Sequence, residues 1–429
     1  MHMPGAAADG AIVNPAGAAE QAWSRLQPER WPIPLAAFPH EAALVGGAVR
    51  DALLDRLGEA PDLDLVVEGD ALALCRQLGR RHGGSSVVLD AERSMARLVI
   101  GGWSIDLARR DGPSLEADLH RRDYTINAMA LPLADRRQLV DPLDGLTHLQ
   151  TTQLVAVAEA NLLDDPLRLL RGLRLAGQLG FELEPTTAGW IGQHANAIAP
   201  VAGERVLAEL EKLAAAPGGE PWLARCLELG LLAPWRHSAW SGDEAQRLMR
   251  CSTHAAQQLG LSEAELSSFL PLARLANVVD AEALERLRSS RKLQKQVQIL
   301  RRWQEQLGGA EPAIRATTQP EPKRLQLHRD LEEILPALLL DWPTDVARTW
   351  LGRWRDESDR LFHPRPPIDG LSLQRELQIP PSPALGELLL YLMQEQAFGR
   401  LHNREEALEL AQRWLTCAQR AGERAPRRD

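Results

Sequence analysis

The spacing of hydrophobic and polar positions changes about a third of the way along the chain. Between residues 34 and 145, short apolar runs alternate with Gly, Pro and Asp, as in strands separated by turns. Helices are predicted after Gly47 and over residues 71–81. The predicted strands are 43–45, 63–67, 86–89, 96–100 and 104–108, with 139–140 as a weak sixth.

From about Asn161 onward, leucines recur at the spacing of amphipathic helices, as in Leu167, Leu170 and Leu173. The pattern therefore predicts an α+β fold, with a β-sheet head followed by an all-α neck, body and tail. The predicted segments are a flexible N-terminal tail (1–33), the head (34–150), the neck (151–215), the body (216–322) and the helical tail (323–429).

Composition and charge narrow the class of protein. The 429 residues exceed one ordinary domain, and 45% hydrophobic with 25% charged residues is typical of a soluble globular protein. The net charge of -9 argues against binding to nucleic acid through bulk charge. The four cysteines lie far apart, which fits the reducing cytoplasm and argues against a zinc site or disulfides. The sequence shows no signal peptide and no transmembrane run, so we expect no membrane association.

Two glycines, Gly46 and Gly47, stand between a predicted strand and a predicted helix. Such a turn lets the backbone approach a ligand, and the N–H groups of the following helix start suit a phosphate. Arg50 lies in the first helical turn and could reach the same anion. A plain tight turn explains the glycines equally well.

Asp62 and Asp64 follow on the second predicted strand. Residues two apart share a strand face, so the two carboxylates project together. They repel each other unless a cation lies between them, and Mg²⁺ prefers such oxygen ligands. Asp106, on another predicted strand, is the best candidate for a third carboxylate. A glycine turn with these carboxylates predicts a nucleotidyl-transfer site that uses two metal ions, although a solvated strand edge is the simpler alternative.

A second group of polar residues follows the head. It comprises the segment RRDYTINAMA, with Arg122, Asp123 and Asn127, and the segment DDPLRLLRGLR, beginning at Asp164. In the latter, Asp165 and Arg168 are helical i,i+3 neighbours, and Pro166 would make Asp165 an N-cap. Solvated helix faces with an ion pair explain these residues without any ligand.

Five segments of the chain, in their order, resemble motifs of the class II tRNA nucleotidyltransferases and the related bacterial poly(A) polymerases. The segments are GGAVRD, DLD, RRDYTINAMA, VDPLDG and DDPLRLLRGLRLAGQLGF. The motifs cover residues 44–181, and residues 368–415 also resemble the tail of bacterial members, whereas the match is looser between about 215 and 360. The resemblance implies a catalytic nucleotidyltransferase head, CTP and/or ATP as substrates, the 3′ end of tRNA as acceptor, and Mg²⁺ as cofactor. It indicates no obligate protein partner.

The resemblance also implies roles for single residues. Asp62 and Asp64 would bind Mg²⁺, and Gly46, Gly47, Arg50 and Arg122, with Asp123 and Asn127, would form the nucleotide site. Asp165 and Arg168 would read the base, supported by Arg171 and Arg174. The chemistry is consistent, because cytosine and adenine both present an amino donor beside a ring-nitrogen acceptor, whereas uracil and guanine reverse the pattern.

Three departures from the family pattern bear on specificity. Asp164 stands where Glu is usual, and Tyr124 replaces the usual Phe. The segment between Asp106 and Arg122 is short, whereas A-adding and CCA-adding members usually carry a longer loop there. We therefore expect a CC-adding enzyme. Full CCA addition, poly(A) synthesis on other RNA and non-catalytic RNA binding are the alternatives.

A basic run at residues 285–302 is the candidate RNA contact in the body. Its apolar residues, including Leu287, Val297 and Leu300, give the predicted helix a core face. A solvated helix is an equally good explanation of the charge. The predicted phosphate contacts are Arg288, Arg291, Lys292 and Lys295.

Overall fold

A computed structural model describes residues 15–236 and 239–423. The chain divides into two compact units, Met1–Glu209 with Arg225–Pro234 and Leu210–Ala224 with Trp235–Asp429. All strands in the described part of the chain lie in the first unit, which confirms the predicted order of a β-sheet head followed by helices. The finer division into head, neck, body and tail stays a prediction.

The first unit contains a six-stranded sheet and a small two-stranded one. The strands are β1 (Ala43–Val45), β2 (Leu63–Val67), β3 (Ser85–Asp90), β4 (Met95–Ile100), β5 (Trp103–Arg109), β6 (Ala130–Pro132), β7 (Gln153–Leu154) and β8 (Glu182–Leu183). The α-helices of this region are α1 (Pro15–Leu26), α2 (Gly47–Leu53), α3 (Ala71–His82), α4 (Leu115–Leu119), α5 (Gly145–Gln150), α6 (Glu159–Asp164), α7 (Leu167–Leu179), α8 (Pro185–Gln193), α9 (Gly203–Ala215) and α10 (Gly219–Glu228). Short 3-10 helices are Pro28–Arg30, Leu35–Ala37, Thr125–Asn127 and Ala195–Ile198.

The larger sheet has the order β3-β4-β5-β2-β1-β6, and only the β2–β5 pair is parallel. The sixth strand is Ala130–Pro132, so the prediction of a strand at 139–140 was wrong. Val140 forms only an isolated bridge to Ala130. Leu139 and Val140 are buried as well, so the feature that distinguishes Ala130–Pro132 is its antiparallel pairing with β1.

One face of the larger sheet is covered and the other carries charge. Helix α3 packs on the sheet through Cys75 and Leu78, and Ala96 and Leu98 of β4 are buried. Successive strand residues point to opposite faces, so Arg97 lies on the opposite face of β4. This second face carries the residues of the candidate site.

The prediction of a flexible tail over residues 1–33 was wrong for its described part. Helix α1 packs against α2, with Ala19, Ala22 and Trp23 buried. Arg25 donates hydrogen bonds to the carbonyls of Ala52 and Leu53 at 2.8 and 3.0 Å. The alanines suggested flexibility, yet their helical spacing gives a smooth face that allows close packing. Residues 1–14 lie outside the described residues.

The second unit is helical throughout its described part. Its remaining helices are α11 (Gly242–Arg250), α12 (Thr253–Leu259), α13 (Glu263–Ala276), α14 (Ala281–Arg286), α15 (Arg291–Leu307), α16 (Pro312–Thr318), α17 (Glu321–Leu331), α18 (Leu335–Leu339), α19 (Thr344–Arg355), α20 (Gly370–Leu377), α21 (Pro383–Ala397) and α22 (Arg404–Glu423). Helices α18 and α19 pack against α13 and α12, whereas a separate apolar core spans Ile368 to Ala411. None of the described helices is long and apolar enough to cross a membrane.

Candidate active site

The turn between β1 and α2 brings a glycine against two predicted site residues. Gly46 has a φ of 75°, which L side chains rarely adopt. A Cβ atom at this position would lie 3.2 Å from Oδ2 of Asp64 and 3.4 Å from Nη1 of Arg122. The sequence therefore needs glycine here for both conformation and space, and the turn, Asp64 and Arg122 meet in one place.

The strand register places the predicted carboxylates in a row. Asp64 of β2 is the direct partner of Asp106 on the parallel strand β5, and Asp106 is paired with Arg97 of β4. Both carboxylate oxygens of Asp106 accept hydrogen bonds from Arg97, from Nε at 2.7 Å and Nη2 at 2.9 Å. Asp62 precedes β2 and is exposed. We refer to Asp64, Asp106 and Arg97 as the sheet row.

The sheet row concentrates negative charge around Asp64. Burial raises the pKa of Asp64 to about 6, reinforced by the charges of Asp106 and Asp62 and opposed by Arg122 and Arg97. A cation at this carboxylate would offset that unfavourable charge.

The donor chemistry fits a hard divalent ion, because carboxylate oxygens are the ligands such ions prefer. Arg97 already binds both oxygens of Asp106, so Asp62 and Asp64 are better suited as ligands. Within residues 15–236 and 239–423, no three His, Cys, Asp or Glu side chains are gathered closely enough to form a ready metal site.

Two arginines beside the glycine turn are held by acids and an amide. Arg50 donates to both carboxylate oxygens of Asp51 at 2.8 and 2.9 Å, and its Nη1 donates to Oδ1 of Asn127 at 2.7 Å. Arg122 donates from Nη2 to Oδ2 of Asp118 at 3.1 Å. The buried Nε of Arg122 has no hydrogen-bond partner among the described residues. Both guanidinium groups are thus fixed in place beside the turn.

Asp123 connects the 3-10 helix Thr125–Asn127 to α7. Its Oδ1 accepts hydrogen bonds from the backbone N–H of Tyr124 at 2.8 Å and from Nδ2 of Asn127 at 3.2 Å, and its Oδ2 accepts from Nη1 of Arg171 at 3.2 Å. Burial by itself raises the pKa of Asp123, but Arg171 and the hydrogen bonds outweigh burial and hold the pKa below its usual value. In this structure Asp123 and Asn127 therefore hold the side chains of Arg171 and Arg50 in position. Their contact with a nucleotide stays a prediction.

The start of α7 differs from the prediction. Helix α7 begins at Leu167 and its N-cap residue is Pro166, so the prediction of Asp165 as N-cap was wrong. Asp165 has an extended backbone with a φ of -138°, because Pro166 disfavours helical conformation in the residue before it.

Asp165 and Arg168 do not form the i,i+3 ion pair that their spacing allows. Oδ2 of Asp165 accepts a hydrogen bond from Nη2 of Arg205 at 2.8 Å. Nη1 of Arg168 donates to the carbonyls of Asn161 at 2.8 Å and Arg121 at 3.2 Å. Each member of the predicted base-reading pair therefore has its own separate partner.

Arg171 and Arg174 share Glu209 of α9 as their acidic partner. Nε of Arg174 donates to Oε2 of Glu209, and Nε of Arg171 lies 3.7 Å from Oε1. Glu209 is buried, so the two arginines are fixed by charge as well as by packing. We refer to Asp165, Arg168, Arg171 and Arg174 as the α7 charges.

Tyr124 fixes the first turns of α7 from the side of the head. Its hydroxyl donates to the carbonyl of Arg168 at 2.8 Å, and its ring is fully buried. A Cβ atom on Gly172 would lie 2.1 Å from the Tyr124 oxygen. The tyrosine that departs from the family pattern therefore has a structural role, and Gly172 leaves room for it.

Sequence reasoning missed several residues that hold the site together: Arg97, Asp118, Asn161, Arg205 and Glu209. The one available signal was the i,i+4 spacing of Arg205 and Glu209, which puts opposite charges on one face of a predicted helix. That spacing gives no indication of which charges elsewhere in the chain they meet.

The predicted RNA contacts belong to the second unit. Arg288, Arg291, Lys292 and Lys295 are all exposed, on the turn before α15 and its first turns. Two other basic residues of the run have structural partners, because Arg301 pairs with Glu244 and Arg302 with Asp330. The basic surface is therefore smaller than the sequence count implied.

Comparison with known proteins identifies the family. Residues 42–155 match the model of the "Poly A polymerase head domain", and residues 180–236 match "Probable RNA and SrmB- binding site of polymerase A". A CC-adding tRNA nucleotidyltransferase of Synechocystis sp. is 36% identical over 89% of this chain and 95% of its own. An A-adding tRNA nucleotidyltransferase of Deinococcus radiodurans is 41% identical over 46% of each chain.

A solved structure shares the fold. The complex of a CCA-adding enzyme with ATP superimposes with a TM-score of 0.66 at 22% identity, covering 87% of this chain and 91% of the other. The head match includes the glycine turn and the sheet row, and the match to the Synechocystis relative extends over nearly all of both chains. The chain belongs to the tRNA nucleotidyltransferases, a family of enzymes.

Proposed function

We propose that this enzyme adds nucleotides to the 3′ end of tRNA, transferring CMP from CTP and stopping after the second C. The observation that carries base selection is the separation of Asp165 and Arg168 at the start of α7. One offers a carboxylate acceptor and the other a guanidinium donor, and neither neutralises the other. This pair suits cytosine and adenine alike, so the restriction to C depends on the short segment between Asp106 and Arg122.

These two groups match one edge of cytosine. Asp165 accepts from the exocyclic amino group, and Arg168 donates to the adjacent ring nitrogen. Uracil presents a carbonyl and an N–H at the same positions, so both contacts become repulsive or unpaired. Selection by a protein template of this kind requires no nucleic-acid template.

The transfer is a single displacement at phosphorus. The 3′-hydroxyl oxygen of the RNA forms a bond to the α-phosphorus of CTP, the bond from that phosphorus to the bridging oxygen breaks, and pyrophosphate leaves. The hydroxyl proton passes to solvent. Gly46 and Gly47 allow close approach of the triphosphate, while Arg50 and Arg122 balance its charge.

Asp62 and Asp64 are the residues that would hold Mg²⁺. When bound, divalent ions supply charge neutralisation at the reacting phosphate and promote ionisation of the attacking hydroxyl. The position of Asp64 between Gly46 and Asp106 supports this role, because it puts the carboxylate where the glycine turn would receive the phosphates.

The segment between Asp106 and Arg122 supports restriction to C. It forms the end of β5 and the short helix α4, without a long loop. Asp118 accepts hydrogen bonds from the backbone N–H of Asp111 at 2.9 Å and from Arg122, and Arg121 pairs with Asp111 at 2.9 Å. A short segment fixed in this way is poorly suited to the rearrangement that a longer loop would provide for ATP. Full CCA addition is the alternative.

The test is extension of a tRNA that lacks its terminal CCA, with CTP alone, ATP alone or both. We expect addition of two C residues whenever CTP is present and none with ATP alone. A product ending in CCA would contradict C restriction while supporting the family reaction. A poly(A) product on unrelated RNA would indicate a poly(A) polymerase. If Asp62→Ala left incorporation unchanged, the proposed catalytic role of Asp62 as a metal-binding carboxylate would be wrong.

We further propose that the exposed basic surface before and within α15 binds the tRNA backbone. Its support is the exposure of Arg291 and Lys292 at the helix start. Reversing both charges with Arg291→Glu and Lys292→Glu should raise the KM for tRNA roughly tenfold and flatten its salt dependence. Arg375→Glu with Arg413→Glu, an equal change at other exposed positions, is the control. An unchanged KM in the first variant would exclude this contact.

We place the reaction in the reducing cytoplasm. The described cysteines Cys75, Cys226 and Cys251 are all free thiols, and all three are buried. Burial also raises the pKa of the Cys251 thiol to about 12, which keeps it protonated and unreactive.

A further inference from the structure

Helix α9 presents two opposite charges to the α7 charges. Arg205 and Glu209 are one helical turn apart and therefore lie on the same face of α9. Arg205 binds Asp165, and Glu209 binds Arg171 and Arg174. Helix α9 thus pairs with three of the four α7 charges, Asp165, Arg171 and Arg174.

The two residues of the proposed base-reading pair can bind each other instead of a base. Asp165 and Arg168 carry opposite charges three residues apart, the spacing at which such side chains attract each other. If they paired, the carboxylate would be occupied by the guanidinium, and neither group would be positioned for a base. Some other contact must keep them apart.

The structure shows such a contact at Asp165. Oδ2 is bound by Arg205 at 2.8 Å, whereas Oδ1 has only a long hydrogen bond of 3.4 Å from the backbone N–H of Leu167. A carboxylate oxygen accepts more than one hydrogen bond, so Oδ1 keeps the capacity to accept from an amino group. Arg205 therefore fixes one oxygen and leaves the other able to accept a further hydrogen bond.

We propose that Arg205 is a positioning residue for nucleotide selection, which orients Asp165 toward the exocyclic amino group of the incoming cytosine and prevents its pairing with Arg168. This inference rests on the proposed function, since it assigns the role of Asp165 to base reading. Arg205 itself acts through Asp165 and touches neither the base nor the reacting phosphate.

The test compares Arg205→Ala with Arg205→Lys and with the control Arg225→Ala. Arg225 is similarly exposed and pairs with Glu228 at 3.1 Å, so its removal also breaks one surface ion pair. The measurement is kcat and KM for CTP and for UTP with a tRNA that lacks its CCA end. Because both arginines are about half exposed, neither substitution removes core packing.

We expect Arg205→Ala to raise the KM for CTP about tenfold and to reduce the CTP-to-UTP ratio of kcat/KM by a similar factor, with a smaller change in kcat. Arg205→Lys should recover part of the ratio, because it restores the charge without the planar guanidinium. Arg225→Ala should match the unaltered enzyme.

An unchanged CTP-to-UTP ratio in Arg205→Ala would overturn the inference, as would an equal loss in Arg225→Ala. If Arg205→Ala failed to fold, which thermal melting would show, the ratio in Arg205→Lys would decide. Failure of the unaltered enzyme to extend tRNA would instead contradict the proposed function. The two failures are therefore distinguishable.

Discussion

The sheet row and the α7 charges lie in the same compact unit, yet they are placed by different forces. Asp64 stands opposite Asp106 because β2 and β5 pair in parallel, so backbone hydrogen bonds set the position. Asp165 is placed by Arg205, which lies 40 residues further along the chain. Backbone register is insensitive to a side-chain substitution, whereas an ion pair is lost with either partner. Substitutions in the sheet row should therefore alter the rate of nucleotide transfer without moving the backbone. Substitutions of the α7 charges or their partners should instead change the positions of the Asp165 and Arg168 side chains.

The largest expected effect comes from Asp64→Asn. Removal of this charge should lower nucleotide incorporation by roughly 10³-fold, because the carboxylate is proposed to hold the ion that offsets charge on the reacting phosphate. Thermal stability should be unchanged or raised, since the substitution relieves repulsion with Asp106. Incorporation and thermal melting measured together check both statements.

Asp135→Asn is the matched control, because Asp135 is exposed and away from the sheet row. It should leave incorporation unchanged. A marked loss of stability in Asp64→Asn would show that the sheet row has a structural role that strand register alone does not explain.

A smaller and different effect is expected from Gly172→Ala on α7. The new methyl group would meet the Tyr124 hydroxyl, and this overpacking should lower the free energy of unfolding by about 1–3 kcal/mol. Because the clash moves the turn that carries Arg168, the KM for CTP should rise as well.

Gly189→Ala in α8 makes the same substitution where the Cβ has open space. It should raise stability by about 0.5–1 kcal/mol, because alanine favours helix over glycine. Equal effects of the two substitutions would contradict the close packing of Tyr124 on α7.

The smallest effect is expected from Tyr124→Phe. The substitution removes the hydrogen bond to the Arg168 carbonyl and should cost about 1 kcal/mol of unfolding free energy, as measured by denaturant titration. Nucleotide preference should persist, since phenylalanine is the usual residue in the family. A loss of preference would mean that this hydroxyl, and not Arg205, maintains the α7 geometry.

The parts of the fold and site that the sequence predicted are those governed by local rules. The strands 43–45 and 63–67 match β1 and β2, because alternation along a strand is a short-range pattern. The same rule predicts that Asp62 and Asp64 share a face, but Asp62 precedes β2 and this stays a prediction. The α7 partners could not be predicted, because helical spacing tells which residues share a face but not which distant charge meets them.

Two segments of the first unit differ from the sequence-based prediction because contacts with distant elements determine their structure. The alanines of residues 15–26 predict a flexible tail, and the apolar pair 139–140 predicts the sixth strand. The structure instead has the packed helix α1 and the strand Ala130–Pro132. Burial against α2 fixes α1, and composition carries little information about that burial. In the sheet both segments contain buried residues, and only pairing with β1 distinguishes them.

The most direct test of the account is the ratio of kcat/KM for CTP to that for UTP, compared between the unaltered enzyme and Asp165→Asn. An amide both donates and accepts, so it can face the uracil carbonyl as well as the cytosine amino group. The account predicts that the unaltered enzyme strongly prefers CTP and that Asp165→Asn reduces this preference at least about tenfold, mainly by admitting UTP. An undiminished preference in Asp165→Asn would contradict the assignment of base reading to the start of α7.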